Sequence, residues 1–378
     1  MGGEVACSVL VPVLNEERYV EQAVDAMRRQ RFDGELEFIF ADGGSNDRTR
    51  EILGRLAEQD PRIRVFDNPS RSVSSGLNVC LSHARGRWAV RMDAHTVYSD
   101  DYIARGVARL VEGGTRWVSG PQVPTGRGPV SRAVALALGG SLGRGGSRKW
   151  GADGEHDGAE YELDTGIFTG VWARATLLEY GGWDERWPRN SDSEMAARFL
   201  ANDERLICLP AMAGLYVPRD SVGGLWRQYV DYGEFRARTY RRHPHSMRAS
   251  HLLAPAIVIT AAAAIAGPRR VRRWARFGEG LYLASLGLAA ARSRAAAEAP
   301  MDAALVPVVL FAMHHGHGVG QIKGWRRYGL PVAALAHVTR LSRFVDTTTG
   351  GEDEPVFAPS FRGPDASDGP RAPGHADR

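Results

Sequence analysis

Up to about residue 215 the chain alternates short apolar runs with stretches of helical spacing, and that alternation leaves few folds open. The apolar runs Ser8–Val13, Leu36–Ala41, Arg62–Phe66, Arg87–Met92, Trp117–Gly120, Phe168–Ala173 and Arg205–Leu209 read as strands. Between the first two, Val20, Ala23, Val24 and Met27 recur at i, i+3, i+4 and i+7, with Asn15 placed to cap a helix. Asn46 or Asp47 is placed to cap a second helix through about Glu58. Strands and helices in this order predict an α/β sandwich around a mostly parallel central sheet.

Composition narrows the partners. With 43% hydrophobic and 24% charged residues, the 378-residue chain is neither wholly disordered nor collagenous. Three scattered cysteines exclude a disulfide scaffold or a cysteine-rich zinc module and suit a reducing cytoplasm. The formal charge of +4 points weakly to polyanions, but all but two of the 48 basic residues are arginine, spread along the chain. That is compositional habit, so no nucleic-acid partner is expected. The first residues lack the basic and long apolar regions of a signal peptide, and none is expected.

From Leu225 the character changes. Arginine-rich stretches alternate with alanine- and leucine-rich ones, and Ala249–Pro268 and Ala303–Ile322 are each 20 residues without Asp, Glu, Lys or Arg. About 20 apolar residues span a bilayer. Arginines flank the first segment on both sides, so an interfacial placement suits it better, and the second is the stronger candidate span. From Asp346 the chain is rich in Pro, Gly, Asp and Ser. The expected organisation is a catalytic domain over residues 1–224, a helical membrane-associated region over 225–345 and a disordered tail over 346–378.

The chemistry has three candidate centres. No glycine-rich turn follows the first strand, which disfavours a dinucleotide-binding dehydrogenase, and the glycine-rich stretch Gly139–Gly151 reads as a flexible loop. Asp42 closes a strand where open α/β sheets bind ligands, although D-G-G-S-N is equally good turn chemistry. Asp93 closes another, and in extended backbone His95 would point to the same side, giving a pair for a divalent ion or merely a turn. Ser191-x-x-Glu194 reads as a capping box, which places Asp192 in a helix's first turn, either as a dipole partner or as a base beside a cleft. His314, His315 and His317 lie in an apolar run and read first as helix packing, and the acidic stretch Asp153–Asp164 as a solvated loop. Trp226, Trp274 and Trp325 sit beside arginine-rich segments and suit interfacial anchoring or packing equally.

Taken in order, SVLVPVLNEERYVEQAV, FADGGSNDRT, NPSRSVSSGLNVCLSHARGRWAVRMDAHTVYSDDYI, LGRGGSRKW, DTGIFTGVWAR, GGWDERWPRNSDSEMAARF and QYVDYGEFRAR resemble the family 2 inverting glycosyltransferases of the GT-A fold. The likeness spans roughly Cys7 to Lys323 and is strongest to the succinoglycan-type glucosyltransferases that extend lipid-linked sugars. The resemblance implies that Pro12, Asn15 and Glu17 line a nucleotide pocket, that Asp42 binds the base and that Asn78 sits beside the nucleotide. It implies that Asp93 and His95 hold Mg²⁺ or Mn²⁺ against the donor diphosphate, with His95 where the broad family has an aspartate. Asp192 falls on the catalytic base, with Ser191 replacing the glutamate of the family's pair. Gln228, Tyr232, Gly233 and Arg236 match a segment that contacts donor phosphate or acceptor.

The implied activity is inverting transfer of a hexose, glucose from UDP-glucose in the first instance, to a lipid-linked or polysaccharide acceptor at the cytoplasmic membrane face. A nucleotidyltransferase is the rival enzyme, although VPVLNEERYV offers no basic glycine-rich loop for a triphosphate. A catalytically inactive glycan- or nucleotide-binding membrane protein is the rival outside enzymes.

Overall fold

The computed structural model describes residues 4–151 and 158–340. The expected disordered tail and residues 153–157 of the acidic stretch lie outside the described residues. The strands are β1 (Val5–Val13), β2 (Glu35–Asp42), β3 (Ile63–Asp67), β4 (Trp88–Arg91), β5 (Thr96–Val97), β6 (Trp117–Ser119), β7 (Gln122–Pro124), β8 (Tyr161–Leu163), β9 (Gly170–Ala173), β10 (Leu206–Cys208) and β11 (Gly214–Tyr216). The first eight helices are α1 (Val20–Arg28), α2 (Thr49–Gln59), α3 (Val73–His83), α4 (Tyr102–Val111), α5 (Pro129–Gly139), α6 (Ser141–Arg144), α7 (Arg174–Glu179) and α8 (Ser191–Leu200). The last five are α9 (Val222–Arg242), α10 (Leu253–Ala266), α11 (Arg269–Ser293), α12 (Pro300–Tyr328) and α13 (Val332–Val338).

Eight strands form one sheet in the order β3-β2-β1-β4-β9-β6-β10-β8. Strands β1, β2, β3 and β4 run parallel, as do β6 and β10, while β9 is antiparallel to both neighbours and β8 to β10. The period of two along β1 and β2 explains the sandwich. Cys7, Val9, Val11, Phe38 and Phe40 pack toward α1, α2 and α4, whereas Leu10, Ile39 and Ala41 pack toward α3 and α8. Sheet faces buried on both sides need such continuous apolar strands. A small second sheet, β5-β11-β7, stands beside the ends of the main one.

Several local expectations are corrected. Asn15 does not cap α1: Tyr19 holds that position without a side-chain bond. Asn15 instead adopts φ 58° and accepts a hydrogen bond from Asn46 N at 2.9 Å, because the loops after β1 and β2 clasp each other. The Ser191–Glu194 capping box does not form, since Asn190 holds the cap position and Glu194 turns inward to Arg198 at 2.8 Å. The stretch around Gly139–Gly151 carries α6 and an isolated bridge between Gln122 and Trp150, so it is more ordered than a flexible loop. Part of the acidic stretch is strand β8, which the ladder to β10 recruits.

Beyond β11 the chain is helical. Helix α12 runs along α9 and α5, and α10 and α11 form an antiparallel pair beside it. Gly233 of α9 and Gly316, Gly320 and Gly324 of α12 let the two backbones touch, since a Cβ at Gly320 would strike the Val230 carbonyl. At the start of α12 the carboxylate of Asp302 is fully buried against Arg132 of α5, with Nε to Oδ2 2.8 Å and Nη2 to Oδ1 3.1 Å. Windows of two helices, Ala249–Ala266 and Pro300–Tyr328, are long and apolar enough to cross a membrane, but 56% of the second is covered by protein against 17% of the first. The segment expected to be the stronger span is therefore the central helix of this layer, and the exposed apolar surface belongs to α10 and α11.

Candidate active site

The loops that follow β1 and β2 build the first wall. Asn15 N donates to Ser45 Oγ at 3.0 Å, Glu16 N to Thr49 Oγ1 at 2.7 Å and Glu17 N to Asp47 Oδ2 at 3.1 Å. Arg48 N returns a bond to Glu17 Oε2 at 3.2 Å. This clasp fixes Asn15 and Glu17 at the C-terminal end of the sheet, with half-buried Pro12 just before them in β1. Asp42 is the last residue of β2 and is buried. Its Oδ1 accepts from Ser45 N at 3.1 Å and Ser45 Oγ at 2.6 Å, and Oδ2 lies 3.7 Å from Arg50. The turn reading therefore holds, and the same turn fixes the direction of the acid.

Asn78 is placed differently. It is buried on α3, donates to the Trp183 carbonyl at 2.7 Å and to Glu185 at 3.0 Å, and accepts from Trp183 N at 2.9 Å. Both N–H groups of its amide and one lone pair of its oxygen hold the 183–185 segment, which leads into α8, so its side chain positions that segment.

Asp93 follows β4, where the chain turns at once: Thr96 N donates to the Asp93 carbonyl at 3.2 Å. The expected extended geometry is absent, and this turn is what brings Asp93 and His95 together. Asp93 receives a fork from buried Arg91, Nε to Oδ1 2.9 Å and Nη2 to Oδ2 3.0 Å. Burial opposes the charge on Arg91, but Asp93, with a smaller pull from Asp192, holds its pKa above the usual arginine value. His95 Nδ1 lies 3.2 Å from Glu16 Oε1. Burial would lower the His95 pKa, yet the bond to Glu16 and the charge of Asp93 raise it.

A ring nitrogen tied to a carboxylate leaves the other free and oriented, which is the usual support for a metal-binding or phosphate-binding histidine. Asp93 retains lone pairs outside the arginine fork. Among the described residues no group of three such side chains would hold an ion by itself. The pair fits a divalent ion completed by phosphate oxygens and water, the way Mg²⁺ is commonly held.

Asp192 is half-buried in the first turn of α8. Gly166 of the preceding segment lies flat against the Asp192 backbone, where any Cβ would strike the carbonyl. Asp192 lines a cavity of about 270 Å³ together with Lys149, Gln122, Tyr232, Arg236 and His317. Gln228, one turn before Tyr232 on α9, donates Nε2 to the Tyr232 hydroxyl at 3.0 Å. A larger cavity of about 880 Å³ lies between α5, α11 and α12, and none of the expected site residues lines it. The histidines of α12 have separate packing partners: His314 meets Tyr282 and the Leu142 carbonyl, His315 stacks on Phe311, and His317 meets Gln321.

Four residues near these carboxylates escaped the sequence reading. Glu16 is one position from the expected Glu17, and only the turn at His95 selects it. Arg91 lies inside β4, a strand recognised by its apolar residues. Arg219, after β11, is close enough to His95 and Tyr232 to bias both. Lys149 carried one signal, as one of two lysines in an arginine-rich chain.

A mostly parallel sheet with carboxylates at its C-terminal edge, and a third at a helix start, places the acids where open α/β sheets bind ligands, as the nucleotide-sugar transferase class requires. The comparisons agree. Residues 8–157 match the family model Glycosyl transferase family 2. The Succinoglycan biosynthesis protein ExoA of Rhizobium meliloti (strain 1021) is 30% identical over 244 residues, 62% of this chain and 70% of that protein. The Chondroitin synthase of Pasteurella multocida (strain Pm70) is 30% identical over 96 residues, 25% of this chain and 9% of that one. In structure, the Mannosyltransferase PcManGT from Pyrobaculum calidifontis, solved in complex with GDP-Man and Mn²⁺, superposes with TM-score 0.53 at 20% identity over 83% of this chain and 87% of that one. The chain belongs to glycosyl transferase family 2, and its fold is of the GT-A type.

Proposed function

We propose that the protein is an inverting hexosyltransferase of polysaccharide biosynthesis that moves glucose from UDP-glucose to a lipid-linked or polysaccharide acceptor. Residues 1–224 would carry the chemistry and 225–345 would rest on the cytoplasmic face of the membrane. The observation that carries this reading is the half-buried carboxylate of Asp192 at a cavity wall, electrostatically linked through Arg91 to Asp93. ExoA supports the polysaccharide assignment by likeness, and the mannosyltransferase supports a nucleotide sugar and a divalent ion.

Asp42 would accept the imide N–H of uracil, with Pro12, Asn15 and Glu17 around the nucleoside. Asp93 and His95 would hold Mg²⁺ or Mn²⁺, and Gln228 and Arg219 would stand over the diphosphate. When bound, the ion supplies positive charge to the departing diphosphate. Asp192 takes the proton of the acceptor hydroxyl as its oxygen bonds to the anomeric carbon. The bond from that carbon to the phosphate oxygen breaks on the opposite face, UDP carries away the electron pair, and configuration inverts. One carboxylate suffices because no glycosyl-enzyme forms, unlike in a retaining glycosidase.

A panel of nucleotide sugars tests the reading, through metal-dependent hydrolysis and protection against thermal unfolding. UDP-glucose should protect and turn over best. Protection without turnover of any sugar would mark an inactive binding protein, and turnover of nucleoside triphosphates would mark a nucleotidyltransferase.

A further inference from the structure

The first turn of α8 carries two carboxylates with different surroundings. Asp192 is half-buried at the cavity wall, whereas Glu194 is 1% exposed and does not line that cavity. Glu194 Oε1 and Oε2 accept from Arg198 Nε at 2.8 and 3.1 Å. Arg198 spends its other groups on the segment before α8, donating Nη1 to the Tyr180 carbonyl and Nη2 to the Gly182 carbonyl at 2.8 Å. His243, the residue that ends α9, brings Nε2 to 3.3 Å from Glu194 Oε1. Arg198 already matches the buried charge of Glu194 from within α8, as an i, i+4 pair. The contact with His243 adds what that pair cannot, a fixed relation between α8 and α9.

The same helix grips the run that leads into α8 at two more points. Arg238 Nη1 donates to the Arg186 carbonyl at 2.6 Å, with its guanidinium 4.3 Å from the centre of the Trp187 ring. Trp187 Nε1 donates to Thr239 Oγ1 at 3.0 Å. Asn190 holds the cap position of α8 at φ 61° without a side-chain bond, so contacts from outside the helix direct its start. Asp192 and Glu194 share one rigid turn, and a rotation of α8 that parted Glu194 from His243 would swing Asp192 through the same angle. Misplacing a reacting group by about 1 Å can cost ~10²-fold in rate.

We propose that His243 is a positioning residue for transfer: from the end of α9 it fixes, through Glu194, the direction in which α8 presents Asp192. His243 does not line the cavity, so its effect on the rate passes through α8. This rests on Asp192 being the base, and it deepens that reading by carrying the support of the base beyond residue 224 into the helical layer.

Full-length wild type, His243→Ala, Asp192→Asn and the double variant are compared in Mn²⁺-dependent, single-turnover hydrolysis of UDP-glucose, with water as the acceptor, and in UDP binding. His243→Ala should lower the rate by about 10–100-fold and leave UDP affinity within about threefold. In the Asp192→Asn background the same change should lower the rate by less than about twofold, because residues that act as a unit are not additive. His243→Gln, which keeps an N–H donor for Glu194, should stay within about fivefold of wild type and match its unfolding midpoint. An equal fractional loss in both backgrounds, a fall in UDP affinity as large as the fall in rate, or a loss in His243→Ala that matches its unfolded fraction overturns the assignment. A large loss in Asp192→Asn with none in His243→Ala removes the positioning role alone. Wild-type turnover by Asp192→Asn, or no hydrolysis of UDP-glucose by wild type, removes the reading beneath it as well.

Discussion

Asp42 and Asp93 are each aimed by a neighbour, Ser45 and Arg91, whereas Asp192 stands at a cavity wall, and these settings give the roles separate tests. Asp192→Asn should lower transfer by ~10²–10⁴-fold, the usual loss on removing a general base. Donor affinity should stay within a few-fold, because the cavity that Asp192 lines is not lined by Asp42, Asp93 or His95. Equal turnover by the variant in a single-turnover assay would remove Asp192 from the mechanism. Glu16 bonds His95 and would support an ion only through it, so Glu16→Gln should act through orientation, weakening Mn²⁺-dependent UDP binding by ~10-fold. His95→Ala should weaken it at least as much, and equal Mn²⁺ titrations in both variants and wild type would show that His95 is no ligand. Asp42 at a strand end and Asp192 in a first helical turn were legible from sequence, because strand ends and helix starts are local. The partners Glu16 and Arg91 were not, since a side chain's direction depends on turns and neighbours far along the chain.

At the scale of elements, two contacts set stability. Asp60, which ends α2, accepts from Arg62 Nε and Nη2, both at 2.9 Å, and from Arg28 Nε at 3.0 Å. Those bonds, with Arg62 first, hold its pKa down to about 2 from an ordinary 3.8. A depressed carboxylate stabilises the fold above its unfolded pKa, and that contribution is lost as pH falls through the folded one. Asp60→Asn should therefore cost about 1–2 kcal/mol at neutral pH, with the gap from wild type closing between pH ~4 and ~2 in urea titrations. A gap that persists at pH 2 would assign the loss to packing. Along α9 and α12, Gly320→Leu should destabilise by about 3 kcal/mol or more, because the backbones touch where the side chain must go. Loss of helical signal before the catalytic sheet unfolds would be the sign in a thermal melt, and an unchanged melt would mean the seam is looser than described. The glycines were visible in sequence, but only the crossing of two helices shows which of them face a backbone.

For the whole molecule the exposed surface is the informative one. Helix α11 buries only Ala275 and Leu286, and exposes Trp274 at 74%, Phe277 at 60% and Leu281 at 59% beside Arg269, Arg270, Arg272 and Arg273. Aromatic and aliphatic side chains among arginines suit the surface of an anionic membrane. The protein should float with vesicles containing anionic lipid, and the double variant Trp274→Ser with Phe277→Ser should reduce that binding by about a hundredfold or more, since each apolar side chain contributes ~1.5–3 kcal/mol when buried. Flotation unchanged by the double variant would place the contact elsewhere. Trp226 and Trp325, which sequence could not distinguish from Trp274, are half-buried in the helical layer. The alternation of apolar runs determined the α/β sandwich and the strand ends that carry Asp42 and Asp93, because period and strand length are properties of consecutive residues. Tertiary structure decided which apolar helix lies inside, which faces outward, and that Lys149 and Arg236 share one cavity with Asp192. Burial and charge compensation are set by what packs against a residue, and here the partners come from segments more than forty residues apart in sequence.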